Sequence, residues 1–122
     1  MRVLGIDPGT LITGYGVIET EKGCLTHICN GSIRSNQKEP MQNRLKKIFD
    51  SLHNVIETYE PEVAAVEGGF VATNVSSALK LGQARGVAIL SAACMDLAVF
   101  EYSPTHVKMA VTGYGRADKT QI

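Results

Sequence analysis

The apolar positions of the chain follow a strand-like period at first and a helical period after Pro40. Residues 2–6 form a short apolar run, which is typical of a strand buried on both faces. Residues 13–19 and 24–33 predict two further strands, and Glu21-Lys22-Gly23 predicts the turn between them. The first third of the chain is therefore expected to be an antiparallel meander.

A helical stripe follows Pro40, and Pro61 marks its end. Its apolar positions recur at three- and four-residue steps: Leu45, Ile48, Phe49, Leu52, Val55, Ile56 and Tyr59. Polar residues are expected on the other faces of this helix: Arg44, Lys46, Lys47, Asp50 and Glu57. Residues 63–66 then form a second run typical of a buried strand, which ends at Glu67.

The rest of the chain alternates between helix and strand. Asn74 or Ser76 can cap a second helix that reaches about Met95, and residues 97–102 predict a fifth strand. Ser103 begins a third helix, and residues 117–122 have the pattern of another helix starting. The order β-β-β-α-β-α-β-α predicts an α/β fold with a five-stranded mixed sheet flanked by helices.

Composition narrows the class of protein further. The chain has 122 residues, with 12 Lys plus Arg and 12 Asp plus Glu, so net charge gives no indication of a nucleic-acid partner. No apolar stretch is long enough to span a membrane, and the N-terminus lacks a signal-peptide pattern. We therefore expect one domain over residues 1–122, located in the cytoplasm.

The cysteines point to the same compartment. Cys24, Cys29 and Cys94 are odd in number, and no C-x-x-C pair is present. In a regular strand, Cys24 and Cys29 would point to opposite faces. Reduced cysteines are therefore expected, and a structural zinc site is not.

Two strands end in a carboxylate that glycine follows. Asp7-Pro8-Gly9 follows the first strand, and Glu67-Gly68-Gly69 follows the fourth. If these strands are parallel neighbours, the two carboxylates meet and raise each other's pKa unless a cation lies between them. Oxygen ligands suit Mg²⁺, with Mn²⁺ as the alternative. The competing interpretation is that each acid is an ordinary solvated turn residue.

A line of small residues lies on the second helix. Ala78, Gly82 and Gly86 recur at four-residue steps, although glycine inside a helix costs about 1 kcal/mol relative to alanine. Another backbone is expected to come close there. It belongs either to the domain's own sheet or to a helix of a second copy in a homodimer.

Three segments of the chain carry a family resemblance. They are GIDPGTLITGYGVIE from Gly5, SALKLGQARGVAIL over residues 77–90, and FEYSPTHVKMAVTGYGRADKTQI over residues 100–122. Together they resemble the RuvC family of Holliday-junction resolvases. The resemblance implies a ribonuclease-H-like fold and a homodimeric endonuclease that nicks four-way junction DNA with Mg²⁺. It also implies the branch-migration proteins RuvA and RuvB as partners.

Individual roles follow from the resemblance position by position. Asp7 and Glu67 match the family's first two acidic metal ligands, which would also make them catalytic. Phe70 matches an aromatic residue near the junction, where stacking on an unpaired base is worth about 1–3 kcal/mol. Lys108 and Lys119 match basic residues that approach the DNA backbone.

Two further positions bear on DNA binding and the dimer. Arg85 matches a family arginine assigned here to DNA, although its place on the helix could equally serve a structural hydrogen bond. Thr73 departs from the pattern, since many members of the family have a lysine there. The resemblance also favours the homodimer interface for Ala78, Gly82 and Gly86.

The resemblance further implies a final helix, beyond the segment that ends at Ile122, with the last two metal-ligand acids. The segment is therefore expected to lack that helix and to cleave junctions weakly or not at all. One alternative is a junction- or DNA-binding fragment without catalysis. Another is the phosphate loop of actin-like ATPases and sugar kinases, which the Asp7-x-Gly9-Thr10 turn also resembles.

Overall fold

The computed structural model describes residues 1–68 and 74–102. Within them the chain forms five strands and two helices. In chain order they are β1 (Arg2–Asp7), β2 (Ile12–Glu21), β3 (Cys24–Arg34), α1 (Met41–Tyr59), β4 (Val63–Glu67), α2 (Val75–Cys94) and β5 (Ala98–Tyr102). The predicted third helix and the helix start after residue 117 lie outside the described residues.

The strands form one mixed sheet in the order β3-β2-β1-β4-β5. β1, β2 and β3 pair in antiparallel fashion, whereas β4 pairs in parallel with both β1 and β5. The predicted five-stranded mixed sheet is therefore confirmed. The strands keep their predicted places, and β2 is extended at both ends, to Ile12–Glu21.

A tight turn and a bulge shape the β2–β3 hairpin. Lys22 and Gly23 both have positive φ, 50° and 81°, as in the two-residue turns that match strand twist. The register shifts between Val17 and Ile18, so the side-chain alternation of β3 changes by one residue there. Cys29 pairs with Val17 and Cys24 with Glu21, which places both cysteines on one face. The expectation of opposite faces was wrong because a regular strand was assumed, although all three cysteines are free.

Both helices pack on the same face of the sheet, which we call the helix-packed face. The main core contains Leu4, Ile6, Val17 and Val66 from the strands and includes residues of both helices. The other side, here called the open face, has a small cluster of Val3, Ile18 and Ala65, with Val63 against it. Within residues 1–68 and 74–102, that cluster contains strand residues only.

The first helix buries the predicted stripe and one charged residue. Ile48, Leu52, Val55 and Ile56 are buried, as the spacing predicts. Arg44 is also buried, with 6% of its surface exposed, whereas the sequence pattern placed it on a polar face. It precedes Ile48 by four residues, so it lies one turn before the buried stripe.

The second helix begins as predicted. The side chain of Asn74 accepts a hydrogen bond from the Ser77 amide at 2.8 Å, which identifies Asn74 rather than Ser76 as the N-cap. The residues that α2 buries are Ala84, Ala88, Ser91 and Ala92. In the described part of the chain, neither helix is long and apolar enough to cross a membrane.

Candidate active site

Two carboxylates come together at the ends of β1 and β4. The parallel pairing matches Gly5 with Ala65 and Ile6 with Val66, so Asp7 and Glu67 are the next residues in register. Neighbouring strands are about 4.8 Å apart, which brings the two backbones side by side. Ile6 and Val66 belong to the core on the helix-packed face. By alternation, Asp7 and Glu67 therefore both lie on the open face.

The surroundings leave room for a ligand beside Asp7. Asp7 is exposed, and its partner in β2 is Gly14. A Cβ at Gly14 would lie 3.9 Å from the Asp7 Cβ, so the glycine keeps the flank of the carboxylate open. Glu67 is half-buried. The pair thus offers hard oxygen donors on an accessible face, a donor set that fits Mg²⁺.

Two side chains brace the turn that follows Asp7. The Thr13 hydroxyl, fully buried, accepts a hydrogen bond from the Gly9 amide at 3.3 Å and donates one to the Gly9 carbonyl at 3.1 Å. Arg44 Nη2 donates to the Thr10 carbonyl at 2.5 Å. The turn is therefore held from both β2 and α1, which restricts the position of Asp7. Neither role follows from the hydrophobic pattern alone, although the four-residue step from Arg44 to Ile48 indicates that Arg44 shares the buried face of α1.

Arg85 holds the end of β4 from the second helix. Its Nε donates to the Glu67 carbonyl at 3.4 Å, and its Nη2 forms an ion pair with Glu101 on β5. Only 21% of the Arg85 side chain is exposed. This is the structural alternative that the sequence left open for Arg85. A guanidinium with these partners acts first as a clamp between α2, β4 and β5.

Gly68 explains why glycine follows Glu67. Its amide donates to the Tyr102 carbonyl at 2.7 Å. A Cβ there would lie 3.3 Å from the same oxygen, so a side chain would push the ends of β4 and β5 apart. The glycine thus permits the close approach that fixes the strand end carrying Glu67.

Three of the predicted DNA contacts, Phe70, Lys108 and Lys119, lie outside the described residues, as does Thr73. Asp7 and Glu67 are the predicted site residues that the structure brings together, and Arg85 is linked to them through the Glu67 carbonyl. No group of three or more His, Cys, Asp or Glu residues suited to a metal occurs in ranges 1–68 and 74–102.

The small-residue line on α2 faces outward. Ala78 is half-buried, and Gly82 and Gly86 are exposed. A Cβ built at either glycine has no heavy atom within 4 Å among the described residues outside the helix's own backbone. In the described part of the chain, these glycines therefore do not pack on the domain's own sheet. The packing face of α2 is the separate line that includes Ala84 and Ala88.

The chain matches the family model of crossover junction endodeoxyribonuclease RuvC over residues 3–122. It belongs to the RuvC family. A RuvC from Syntrophotalea carbinolica is 54% identical over the whole chain, which spans 76% of that relative. A RuvC from Geobacter sulfurreducens is 52% identical over the whole chain, which spans 74% of it. The resemblance to the RuvC family is confirmed, and it is favoured over the alternative of a phosphate loop like that of actin-like ATPases and sugar kinases.

Solved RuvC structures have the same architecture. The Thermus thermophilus RuvC in complex with Holliday junction substrate has a TM-score of 0.83 and 30% identity, and the match covers all of this chain and 74% of that one. The yeast mitochondrial Holliday junction resolvase Ydc2 has a TM-score of 0.62 at 17% identity, covering 84% of this chain and 50% of that one. At that identity the second likeness shows the fold alone. The ribonuclease-H-like fold class is thereby confirmed for this RuvC-family chain.

Proposed function

We propose that the protein is a metal-dependent endonuclease that resolves four-way DNA junctions in recombination and repair. The observation that carries the proposal is the meeting of Asp7 and Glu67 on one face, at the ends of parallel strands, in a chain of the RuvC family. The junction substrate is inferred from the Thermus thermophilus relative, whose structure contains one.

Asp7 and Glu67 would hold Mg²⁺, or Mn²⁺, through their carboxylate oxygens. Bound there, the ion would supply a Lewis acid and lower the pKa of a water molecule for attack on the phosphodiester. The role of the protein's own residues is to position the two carboxylates. Thr13 and Arg44 restrain the turn after Asp7, and Arg85 restrains the carbonyl of Glu67.

A homodimer through α2 is the second part of the proposal. Exposed apolar side chains line α2 together with the outward glycines: Val75, Leu79, Gly82, Gly86 and Leu90. Their steps of four, three, four and four residues place them on one helical stripe. Large apolar side chains beside two glycines are suited to close packing against the same stripe of a second copy. Ala78 lies next to this stripe and is included in the proposed interface.

The remaining assignments rest on family membership. Phe70, Lys108 and Lys119 are proposed as DNA contacts, and Arg85 is proposed to contact DNA only in addition to its clamp. RuvA and RuvB are proposed as partners, and co-purification of the protein with either one tests this. Residues 1–122 are proposed as a single nuclease domain. The cytoplasm is proposed as the compartment because three free cysteines suit reducing conditions.

Junction binding and metal binding test the proposed function separately from cleavage. Gel-shift titration should show tighter binding to a four-way junction than to a linear duplex of the same sequence. Titration with Mn²⁺, followed by electron paramagnetic resonance, should show binding that Asp7→Asn and Glu67→Gln each weaken. Nicking of end-labelled strands in Mg²⁺ should fall to background in both variants.

Matched controls come from the opposite ends of the strands. Asp96→Asn and Glu62→Gln make the same chemical changes at exposed residues that precede β5 and β4. Asp96 has φ 62°, a conformation that asparagine tolerates. Both control variants should bind Mn²⁺ as the unmodified protein does. Equal affinity for junction and duplex, or Mn²⁺ binding unchanged in Asp7→Asn, would contradict the proposal.

A further inference from the structure

A polar cavity of about 400 Å³ lies between the β1–β2 turn and the first turns of both helices. Its walls contain two cationic side chains and no carboxylate. The residues that line it are Thr10, Leu11, Gln37, Arg44, Ser77 and Lys80. It is separate from the carboxylate pair at the ends of β1 and β4, which contributes none of its lining.

Arg44 carries a buried charge that lacks an anionic partner in the described part of the chain. It is 6% exposed, and its Nη2 is directed to the neutral carbonyl of Thr10. Its Nε is buried and forms no hydrogen bond with any residue in ranges 1–68 and 74–102. A buried guanidinium costs several kcal/mol of desolvation unless an anion or further acceptors compensate it. Arg44 lines the cavity, so an anion bound there would compensate its charge.

The other walls of the cavity also favour an anion. Lys80 forms no ion pair within residues 1–68 and 74–102. Ser77 and Lys80 belong to the first turns of α2, whose macrodipole is positive at that end. Outside the described ranges the sequence has only one acid, Asp118. An external anion with several oxygens would satisfy Arg44 and Lys80 together.

We propose that this cavity binds one backbone phosphate of DNA, with Arg44 and Lys80 as its cationic contacts. The identity of the ligand rests on the proposed function, which supplies DNA as the substrate. The site anchors the nucleic acid beside the turn that Arg44 holds, and so couples phosphate binding to the position of that turn. A phosphate contact of this kind contributes to affinity without reading sequence.

The salt dependence of junction binding tests the site. Each phosphate contact contributes about 0.9 to the slope of log K against log salt concentration. Lys80→Ala should therefore lower the magnitude of the slope by about 1. Lys46→Ala is the matched control, since Lys46 is an exposed helical lysine that pairs with Asp50. The control should leave the slope unchanged. Arg44→Lys, which keeps the charge but loses the planar fork, should weaken junction binding at low salt if it folds.

A second measurement makes the result independent of junction binding. Inorganic phosphate should raise the thermal midpoint of the unmodified protein above that in chloride at equal ionic strength, and it should raise that of Lys80→Ala less. If the protein binds junctions and Lys80→Ala matches Lys46→Ala in slope, the phosphate site is wrong and the proposed function stands. If the protein binds no junction, the proposed function fails. The phosphate titration then decides the anion site: equal stabilisation of both proteins overturns it.

Discussion

Replacement of Gly82 by alanine separates the two possible environments of the small-residue line. Gly82 is an interior residue of α2, which spans Val75–Cys94, and it is exposed. In the isolated chain the new methyl group meets open space, because the built Cβ has no heavy atom within 4 Å among the described residues beyond the helix's own backbone. In the proposed dimer the same methyl group would enter a close helix–helix contact.

The two effects have opposite signs and similar sizes. Alanine is favoured over glycine in a helix interior by about 0.8–1.0 kcal/mol. For 122 residues, an unfolding entropy of about 2.1 cal/mol/K per residue converts that gain to a rise of about 3–4 °C in Tm. Overpacking at a close interface costs about 1–3 kcal/mol. That loss corresponds to a dimer Kd about 5- to 150-fold weaker.

Sedimentation velocity over a dilution series measures the dimer Kd, and thermal unfolding of the dilute monomer measures the helix effect. Gly82→Ala should raise the monomer Tm and weaken the dimer. Asn54→Ala is the control, since Asn54 is an exposed interior residue of α1 and does not belong to the proposed stripe on α2. It should leave the dimer Kd unchanged.

Two results would refute the reasoning. A dimer Kd unchanged by Gly82→Ala would remove Gly82 from the interface, and a monomeric unmodified protein would remove the interface itself. A lower Tm of the dilute monomer would mean that the methyl group meets other atoms of the same chain. Gly82 would then not face open space.

Three other substitutions test the turn, the core and a surface ion pair by urea unfolding. Gly9→Ala should lower the free energy of unfolding by about 3 kcal/mol, because its Cβ would lie 2.1 Å from the carbonyl oxygen of Ile12. A change within about 0.5 kcal/mol would contradict that geometry. Leu52→Ala should cost about 2–5 kcal/mol, because Leu52 is fully buried, and a loss below about 1 kcal/mol would contradict its place in the core. The ammonium group of Met1, and then Arg2, hold the pKa of Glu19 below its ordinary value of 4.5. Glu19 therefore stabilises the fold above its unfolded pKa and loses that effect as the pH falls through the folded pKa. The loss of stability caused by Glu19→Gln should be largest near neutral pH and should vanish in acid. A stability difference that grows in acid would contradict this pKa direction.

Strand and helix positions followed closely from the sequence because the patterns that specify them are local. The apolar runs at residues 2–6 and 63–66 became β1 and β4, each longer by the acid that follows the run. The predicted stop at Pro61 is close to the observed end of α1, where Glu60 adopts a left-handed conformation with φ 51°. The hydrophobic period and the residues that end helices or strands depend on only a few neighbouring positions, so both can be identified from the sequence.

Departures from these predictions have nonlocal causes. The register shift between Val17 and Ile18 changes which face Cys24 occupies, and nothing in the local alternation indicates it. Arg44 was placed on a polar face because of its charge. It is buried, and the carbonyl of Thr10 in the turn after β1 accepts a hydrogen bond from it. Tertiary partners of this kind override a propensity based on residue type.

By itself, the sequence determined that an acid ends each of two apolar strands, that a glycine lies within two residues after each acid, and that the chain resembles RuvC. Only the tertiary structure decided that Asp7 and Glu67 are neighbours on one face, because parallel pairing joins strands some sixty residues apart. It also decided that Gly82 faces outward and that Arg85 clamps the end of β4. The physical reason is that a side chain's face depends on register and packing between distant segments, whereas its period depends on near neighbours alone.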